Sequence, residues 1–241
     1  MAIRLSLIIP TYNEKDNIIS LLDEITETLG PDEAFEIIVV DDDSPDLTWN
    51  IVEEYALRNK RVKIIRRKDV KGLSGAVIAG FIHAQGEFLG VMDADLSHDC
   101  RILPRMIAAV GEEGFDLAVG SRRIPGGGAD KWPWYRKVFS NIATAAAKQV
   151  LNDMTLNDPM SGYFVIKREL FENIKDKINP RGYKILLEIC SVAKPRKIKE
   201  IPFIFKDRRQ GYSKLTLKVV FEYVQMLYQL RRKRKTRIEN R

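Results

Sequence analysis

In the first half of the chain, short unbroken apolar runs alternate with stretches whose apolar residues recur every three or four positions. The runs Ile3–Ile9, Phe35–Val40, Val62–Ile65, Glu87–Met92 and Phe115–Val119 read as buried strands. Between them the helical spacing predicts helices over Lys15–Leu29, Thr48–Arg58, Ser74–Ala84 and Leu103–Glu112. In the first of these Ile18, Ile19, Leu22, Ile25 and Leu29 share a face, and Gly30-Pro31 stops it. Strand and helix in regular alternation predict an α/β domain, a doubly wound and mostly parallel sheet flanked by helices.

After Val119 the pattern changes. Gly120-Ser121-Arg122-Arg123 opens a basic glycine-containing loop, and Trp132-Pro133-Trp134-Tyr135 starts a helix on which Arg136 and Ser140 lie four apart on one side. Asp158-Pro159-Met160-Ser161-Gly162 is a turn before a strand Tyr163–Ile166. Gly182-Tyr183-Lys184 opens a helix carrying Glu188, and Ile201–Phe205 is a late strand. A basic loop from Asp207 to Lys214, containing Arg208, leads to a helix over Leu215–Leu230. There Lys218, Glu222, Gln225 and Gln229 make a narrow polar stripe, with Leu217, Val220, Phe221, Val224, Leu227 and Tyr228 elsewhere on the cylinder. The expected division is a domain over 1–214, then an amphipathic helix and basic tail over 215–241.

Three strands deliver polar clusters to one edge: Tyr12 with Glu14, the run Asp41-Asp42-Asp43, and Asp93 with Asp95. The carboxyl edge of an open α/β sheet is where ligands bind. Two carboxylates one residue apart there suit a diphosphate clamp, because Mg²⁺ or Mn²⁺ is held by one or two carboxylates plus phosphate oxygens. A plainer alternative has Asp95 or Ser97 capping the next helix, and the run at 41–43 serving only as turn chemistry. No G-x-G-x-x-G fingerprint is present, and Lys71-Gly72-Leu73-Ser74-Gly75 lacks the Gly-Lys-Ser/Thr ending of a phosphate loop. Carboxylates accepting from base N–H groups or ribose hydroxyls, with backbone near Pro10 and Val40 walling the base, are the expected nucleotide readers.

Charge sharpens this picture. The 241 residues carry a formal +7, but residues 194–241 hold 16 basic against 4 acidic side chains, leaving −5 on the rest. The basic excess points to an anionic partner, nucleic acid or membrane surface. No nucleic-acid motif accompanies it, whereas Arg231-Arg232-Lys233-Arg234-Lys235 beside an amphipathic helix suits an anionic membrane surface. A solvated tail on a packed helix is the alternative. Cys100 and Cys190 have no metal-type spacing and imply no disulfide framework. No run reaches the ~20 apolar residues of a spanning helix, and the N-terminal apolar run is too short for a signal peptide.

Ile8-Ile9-Pro10-Thr11-Tyr12-Asn13-Glu14, Val39-Val40-Asp41-Asp42-Asp43-Ser44-Pro45-Asp46, Lys71-Gly72-Leu73-Ser74, Met92-Asp93-Ala94-Asp95-Leu96-Ser97-His98, Gly120-Ser121-Arg122 and Gly211-Tyr212-Ser213-Lys214-Leu215 together resemble the dolichyl-phosphate mannose synthases. These are inverting family 2 glycosyltransferases with a GT-A fold. The resemblance implies that Pro10, Tyr12, Glu14, Val40 and Asp42 hold the nucleoside of GDP-mannose, and that Asp93, Ala94 and Asp95 meet ribose, diphosphate and sugar. It implies Asp95 as principal ligand of Mg²⁺ or Mn²⁺ with Ser97 as a second, Ser97 standing where many relatives carry Gln. It places Arg122, Arg136, Ser140 and Arg208 around the acceptor phosphate with Lys184 and Lys214 nearby, Lys184 also toward the donor. Asp93, Asp95, Arg122 and Arg208 are its catalytic set. Arg123 replaces a usual Tyr and adds charge to the acceptor loop.

The expected reaction is a single inverting displacement by dolichyl or polyprenyl phosphate, at the cytoplasmic face of a membrane that 215–241 touches, with no nucleic acid involved. A lipid monophosphate is largely dianionic at neutral pH and needs no general base. The rivals are a UDP-glucose donor, or a hydroxyl acceptor that needs a carboxylate base such as Asp158 or Glu188.

Overall fold

The computed structural model describes residues 2–69, 71–130, 133–151, 154–179, 184–206 and 223–232. The alternation becomes β1 (Leu5–Thr11), α1 (Ile18–Leu29), β2 (Phe35–Asp41), α2 (Thr48–Arg58), β3 (Val62–Arg66), α3 (Leu73–His83), β4 (Phe88–Val91), α4 (Leu103–Gly111) and β5 (Leu117–Ser121). Beyond it come β6 (Gly128–Ala129), α5 (Trp134–Leu151), β7 (Phe164–Lys167), α6 (Arg168–Glu172), α7 (Ile185–Ala193), β8 (Ile198–Pro202) and β9 (Ile204–Phe205), and 223–232 is helical (α8).

Seven strands form one sheet in the order β3-β2-β1-β4-β7-β5-β8. Side chains alternate across it. Leu5, Leu7 and Ile9 of β1 pack with Ile18, Leu21, Leu22 and Ile25 of α1 and with Met106 of α4. Ile8, Ile38 and Val40 pack on the other side with Val77 and Phe81 of α3, Leu186 and Ile189 of α7, and Met226 and Leu230 of α8. Both faces are covered, which is why the strands read as continuous apolar runs.

The pairing is parallel except at β7, which runs antiparallel to both β4 and β5. Phe164, the first residue of β7, pairs with Val91 at the end of β4 and with Val119 near the end of β5. The reversal therefore brings the preceding turn, 158–162, to the same edge as the carboxyl ends of the parallel strands. Several expected boundaries move. The first helix starts at Ile18 because Glu14–Asn17 make a turn, with the amides of Asn17 and Ile18 donating to Glu14 O. The late strand divides at Phe203, whose N–H bonds Ser121 O on one side while its carbonyl accepts from Gly128 on the other.

Candidate active site

At the ends of β1 and β2 two loops are laced together. The amides of Asn13, Glu14 and Lys15 donate to Ser44 Oγ, Thr48 Oγ1 and Asp46 Oδ2 at 3.0, 3.0 and 3.1 Å. The aspartate run that looks uniform in sequence has three separate jobs. Asp41, fully buried, accepts from Thr11 Oγ1, Ser44 N and Ser44 Oγ and builds the turn. Asp43 pairs with Arg66, whose guanidinium lies 3.7 Å above the Trp49 ring.

Asp42 is nearly buried. Its Oδ2 accepts from Gly72 N at 2.6 Å, and Arg67 Nε stands 3.0 Å from Oδ1. That approach lacks hydrogen-bond geometry, so Oδ1 is buried with a charged neighbour but no directed donor. Burial raises the Asp42 pKa above its ordinary value despite the Gly72 amide and Arg67. An acceptor oxygen in this condition suits a ligand N–H. Gly72 reaches it from φ +142°, a conformation that side chains rarely adopt. Tyr12 borders the same region with Lys71 Nζ 4.7 Å from its ring centre, while Pro10 and Val40 are buried beneath.

After β4 the chain bends sharply. Leu96 takes φ +58°, and Asp95, buried, accepts from Ser97 Oγ and Ser97 N at 2.5 and 3.2 Å. The following 3₁₀ turn is capped instead by Asp99, which accepts from Arg101 N, and α4 starts with no side-chain cap. Ala94 is buried, and the Asp93 side chain is one-third exposed. His98, buried against Tyr163, Phe203 and Phe205, accepts the Asp93 amide at Nδ1 (3.3 Å). Burial keeps its pKa below the ordinary value, and a neutral ring accepting at Nδ1 carries its proton on Nε2, 4.0 Å from Asp93 Oδ2. Nothing in the sequence pattern marked His98 as a support for Asp93.

The donors here are hard oxygens, the carboxylates of Asp93 and Asp95 and the hydroxyl of Ser97, which suits Mg²⁺ or Mn²⁺ rather than a soft metal. Among the described residues no group of three His, Cys, Asp or Glu side chains could hold a metal by itself. A partial set of this kind fits an ion whose remaining positions are filled by phosphate and water.

The β5 side is assembled differently. Arg122 donates to Asp158 through N, Nε and Nη2 at 3.1, 2.7 and 2.8 Å, and its guanidinium lies 5.5 Å from the Phe205 ring centre. Burial pushes the Asp158 pKa up, but the Arg122 hydrogen bonds and charge outweigh it, leaving the carboxyl below its ordinary value. Arg123 donates to Ser140 Oγ and Asn141 Oδ1 at 2.7 and 2.8 Å, so the loop is stitched to α5. Ser140, expected to act with Arg136, is thus engaged by Arg123; Arg136 lies half-buried one helical turn away. Lys184 donates to Met160 O at 3.4 Å, and Glu188 is buried and accepts from Asn179 N. Arg208 and Lys214, with Gly182-Tyr183 and the loop 207–214, lie outside the described residues.

Comparison with known proteins gives this geometry a context. The sequence model of Glycosyl transferase family 2 matches residues 6–175. A dolichol-phosphate mannosyltransferase of Pyrococcus furiosus is 43% identical over 94% of this chain, and the chain spans 63% of that protein's length. One of Saccharomyces cerevisiae is 39% identical, covering 95% of this chain and 88% of the yeast protein. Among solved structures, the Pyrobaculum calidifontis mannosyltransferase PcManGT, in complex with GDP-Man and Mn²⁺, superposes with TM-score 0.63 at 20% identity, covering 88% of this chain and 59% of that one. Mannosyl-3-phosphoglycerate synthase of Rubrobacter xylanophilus superposes with TM-score 0.67 at 18% identity, covering 96% and 75%.

Proposed function

This chain belongs to glycosyl transferase family 2 and has its GT-A fold, and from that premise we propose that it transfers mannose from GDP-mannose to dolichyl or another polyprenyl phosphate with inversion. The observation that carries the reading is the Arg122–Asp158 pair. Both Asp158 oxygens are taken by Arg122 and the carboxyl is held below its ordinary pKa, so it is a poor base. Glu188, the second candidate base, is buried and accepts from Asn179 N. A hydroxyl acceptor needs a base, whereas a phosphate dianion arrives already nucleophilic. The names of the Pyrococcus and yeast relatives support the same acceptor and sugar. The GDP-Man and Mn²⁺ of PcManGT agree with a guanosine donor and a divalent ion.

In this reading Asp42, Tyr12 and Glu14 hold the nucleoside, and Asp93 orients the sugar. Asp95 with Ser97 would hold Mg²⁺ or Mn²⁺, which when bound supplies positive charge to the departing diphosphate. Arg122, Arg123, Arg136, Ser140 and Lys184 gather the lipid phosphate, joined by Arg208 and Lys214. One phosphate oxygen attacks the anomeric carbon as the bond to GDP breaks, the electron pair leaving on the β-phosphate; the products are a β-linked lipid phosphate mannose and GDP.

The reading also places the protein at the cytoplasmic face of a membrane. Among the described residues no helix is long and apolar enough to cross a bilayer. The N-terminal half of α5 exposes Trp134 (77%), Val138, Phe139 and Ile142, and α8 adds Val224 and Tyr228. Tyr223 Oη donates to Ala143 O at 2.7 Å and joins the two helices. Exposed aromatic and aliphatic side chains beside a basic segment are what an interfacial helix requires. The docking surface expected over 215–241 thus extends to α5.

Transfer of labelled sugar from GDP-mannose, with UDP-glucose in parallel, to dolichyl phosphate tests the proposal. Organic-extractable label from GDP-mannose that chelation abolishes, in the β configuration, is the expected result. Label from UDP-glucose alone, or an α-linked product, would overturn it.

A further inference from the structure

The two halves of the site are joined by one short turn. At its start Asp158 holds Arg122, and its own amide donates to Glu200 Oε1 on β8 at 3.0 Å. In the middle Ser161 N closes onto Asp158 O, and Ser161 Oγ donates to Gly120 O at 2.7 Å, strapping the turn to β5. At its end Gly162 lies flat against Asp93. A Cβ built on Gly162 would stand 2.9 Å from Asp93 Oδ2 and 3.1 Å from Oδ1.

Conformation does not explain this glycine, because it is not among the residues with positive φ. Its missing side chain makes room for a carboxylate. Across from it, His98 carries the Asp93 amide at Nδ1 and stands 4.0 Å from Oδ2, so Asp93 is confined between an imidazole and a bare α-carbon. The Asp93 side chain is 33% exposed, so a displaced carboxylate can swing toward solvent. A methyl at 162 is therefore accommodated by movement of the Asp93 carboxylate, a group assigned to the donor sugar.

We propose that Gly162 is a positioning residue for Asp93, and that the turn 158–162 is a spacer fixing the distance between the acceptor-side Arg122 and the donor-side Asp93. The inference rests on the assignment of Asp93 to the donor sugar. It extends that assignment to residues with no polar side chain, and to a coupling between the two substrates. An in-line displacement tolerates little error in the separation of its reactants, and a turn pinned to β5 and β8 sets that separation through backbone.

Gly162→Ala and Gly162→Ser test it by three measurements: thermal unfolding, GDP affinity, and kcat with KM for both substrates. Expected are a Tm and a GDP affinity close to the parent's, since Asp42 and Gly72 are untouched, with kcat down on the order of 100-fold and both KM values changed far less. A crystal structure of Gly162→Ala is expected to show the Asp93 carboxylate swung away from residue 162 toward solvent. An unmoved carboxylate, an undiminished kcat, or a kcat loss accompanied by an equally large loss of Tm would each overturn the proposal. Should the parent fail to mannosylate lipid phosphate, the proposed function falls while the displaced or undisplaced carboxylate still decides this one.

Discussion

The β1–β2–β4 half of the site and the β5–β7 half fasten most of their buried charged groups by different means. In the first, Asp41, Asp42 and Asp95 are fastened by backbone amides and by hydroxyls, most of them a few residues away: Ser44 for Asp41, Ser97 for Asp95. In the second, Arg122 is held by Asp158 and Arg123 by Ser140, side chain to side chain across long stretches of chain. Backbone-fastened groups are fixed once the loop is folded. Groups fastened by opposite charge stay fixed only while both partners are present, so in the β5–β7 half stability and the proposed acceptor chemistry rest on the same atoms.

The largest expected effect comes from removing one such partner. Asp158→Ala takes from the largely buried Arg122 the carboxylate that accepts three of its hydrogen bonds, backbone N included, and a loss of about 3–5 kcal/mol in chemical denaturation is expected. A loss under about 1 kcal/mol would mean that water covers the guanidinium and that the pair does not hold this half together. On the other side, Gly72→Ala forces a side chain into φ +142°, a strain of about 1–3 kcal/mol. Because Gly72 N bonds Asp42, the strain is expected to appear as weaker GDP binding, of order tenfold by calorimetry; unchanged affinity would detach Asp42 from the base.

The smallest effect is one of sign. Asp158 has its folded pKa below the ordinary aspartate value, so its contribution is present at neutral pH and is lost as pH falls through that folded pKa. Asp42 has its folded pKa raised, so its charged form opposes folding at neutral pH and that opposition is relieved on acidification. Asp158→Asn is therefore expected to flatten the acid limb of the stability profile and Asp42→Asn to steepen it. Equal slopes for both variants would erase the contrast between the two halves.

The same contrast governs what could be read from the sequence. Local fastening leaves local marks: α2 runs over Thr48–Arg58 as its spacing predicts, and the acids at 41–43, 93 and 95 sit at strand ends as the apolar runs imply. Even there a run of three aspartates conceals three roles, since burial and partner choice depend on loops that residue type alone does not position. On the acceptor side the pattern offered residue types without pairings. Ser140 looked like a partner for Arg136 because i,i+4 spacing is visible along one helix, whereas its bond to Arg123 crosses from a loop to α5. The orientation of β7 is invisible to periodicity, since a buried strand has the same apolar run in either direction. With it went the placement of 158–162, and hence the role of Gly162. His98 was hidden for a similar reason: its relation to Asp93 depends on the bend at Leu96, where a non-glycine residue takes φ +58°.

The central position of β7 has a consequence for how the protein is made. A chain growing from its N-terminus contains β1 to β5 long before Phe164, and at that stage β4 has one edge with no neighbour and β5 has no neighbour on either side, because β7 and β8 have not been synthesised. The nucleotide-facing half is complete in parallel pairs early, while the seam joining it to β5 waits for β7 to be threaded in, antiparallel, from a distant part of the chain. Long-range pairing of this kind is the slow step in building a sheet, and unpaired strand edges are where half-made chains aggregate. The strand that closes this seam also follows the turn proposed to space the two substrates, so a nascent chain joins the two halves of its sheet and of its site in one event, with β8 still to be added along the edge of β5.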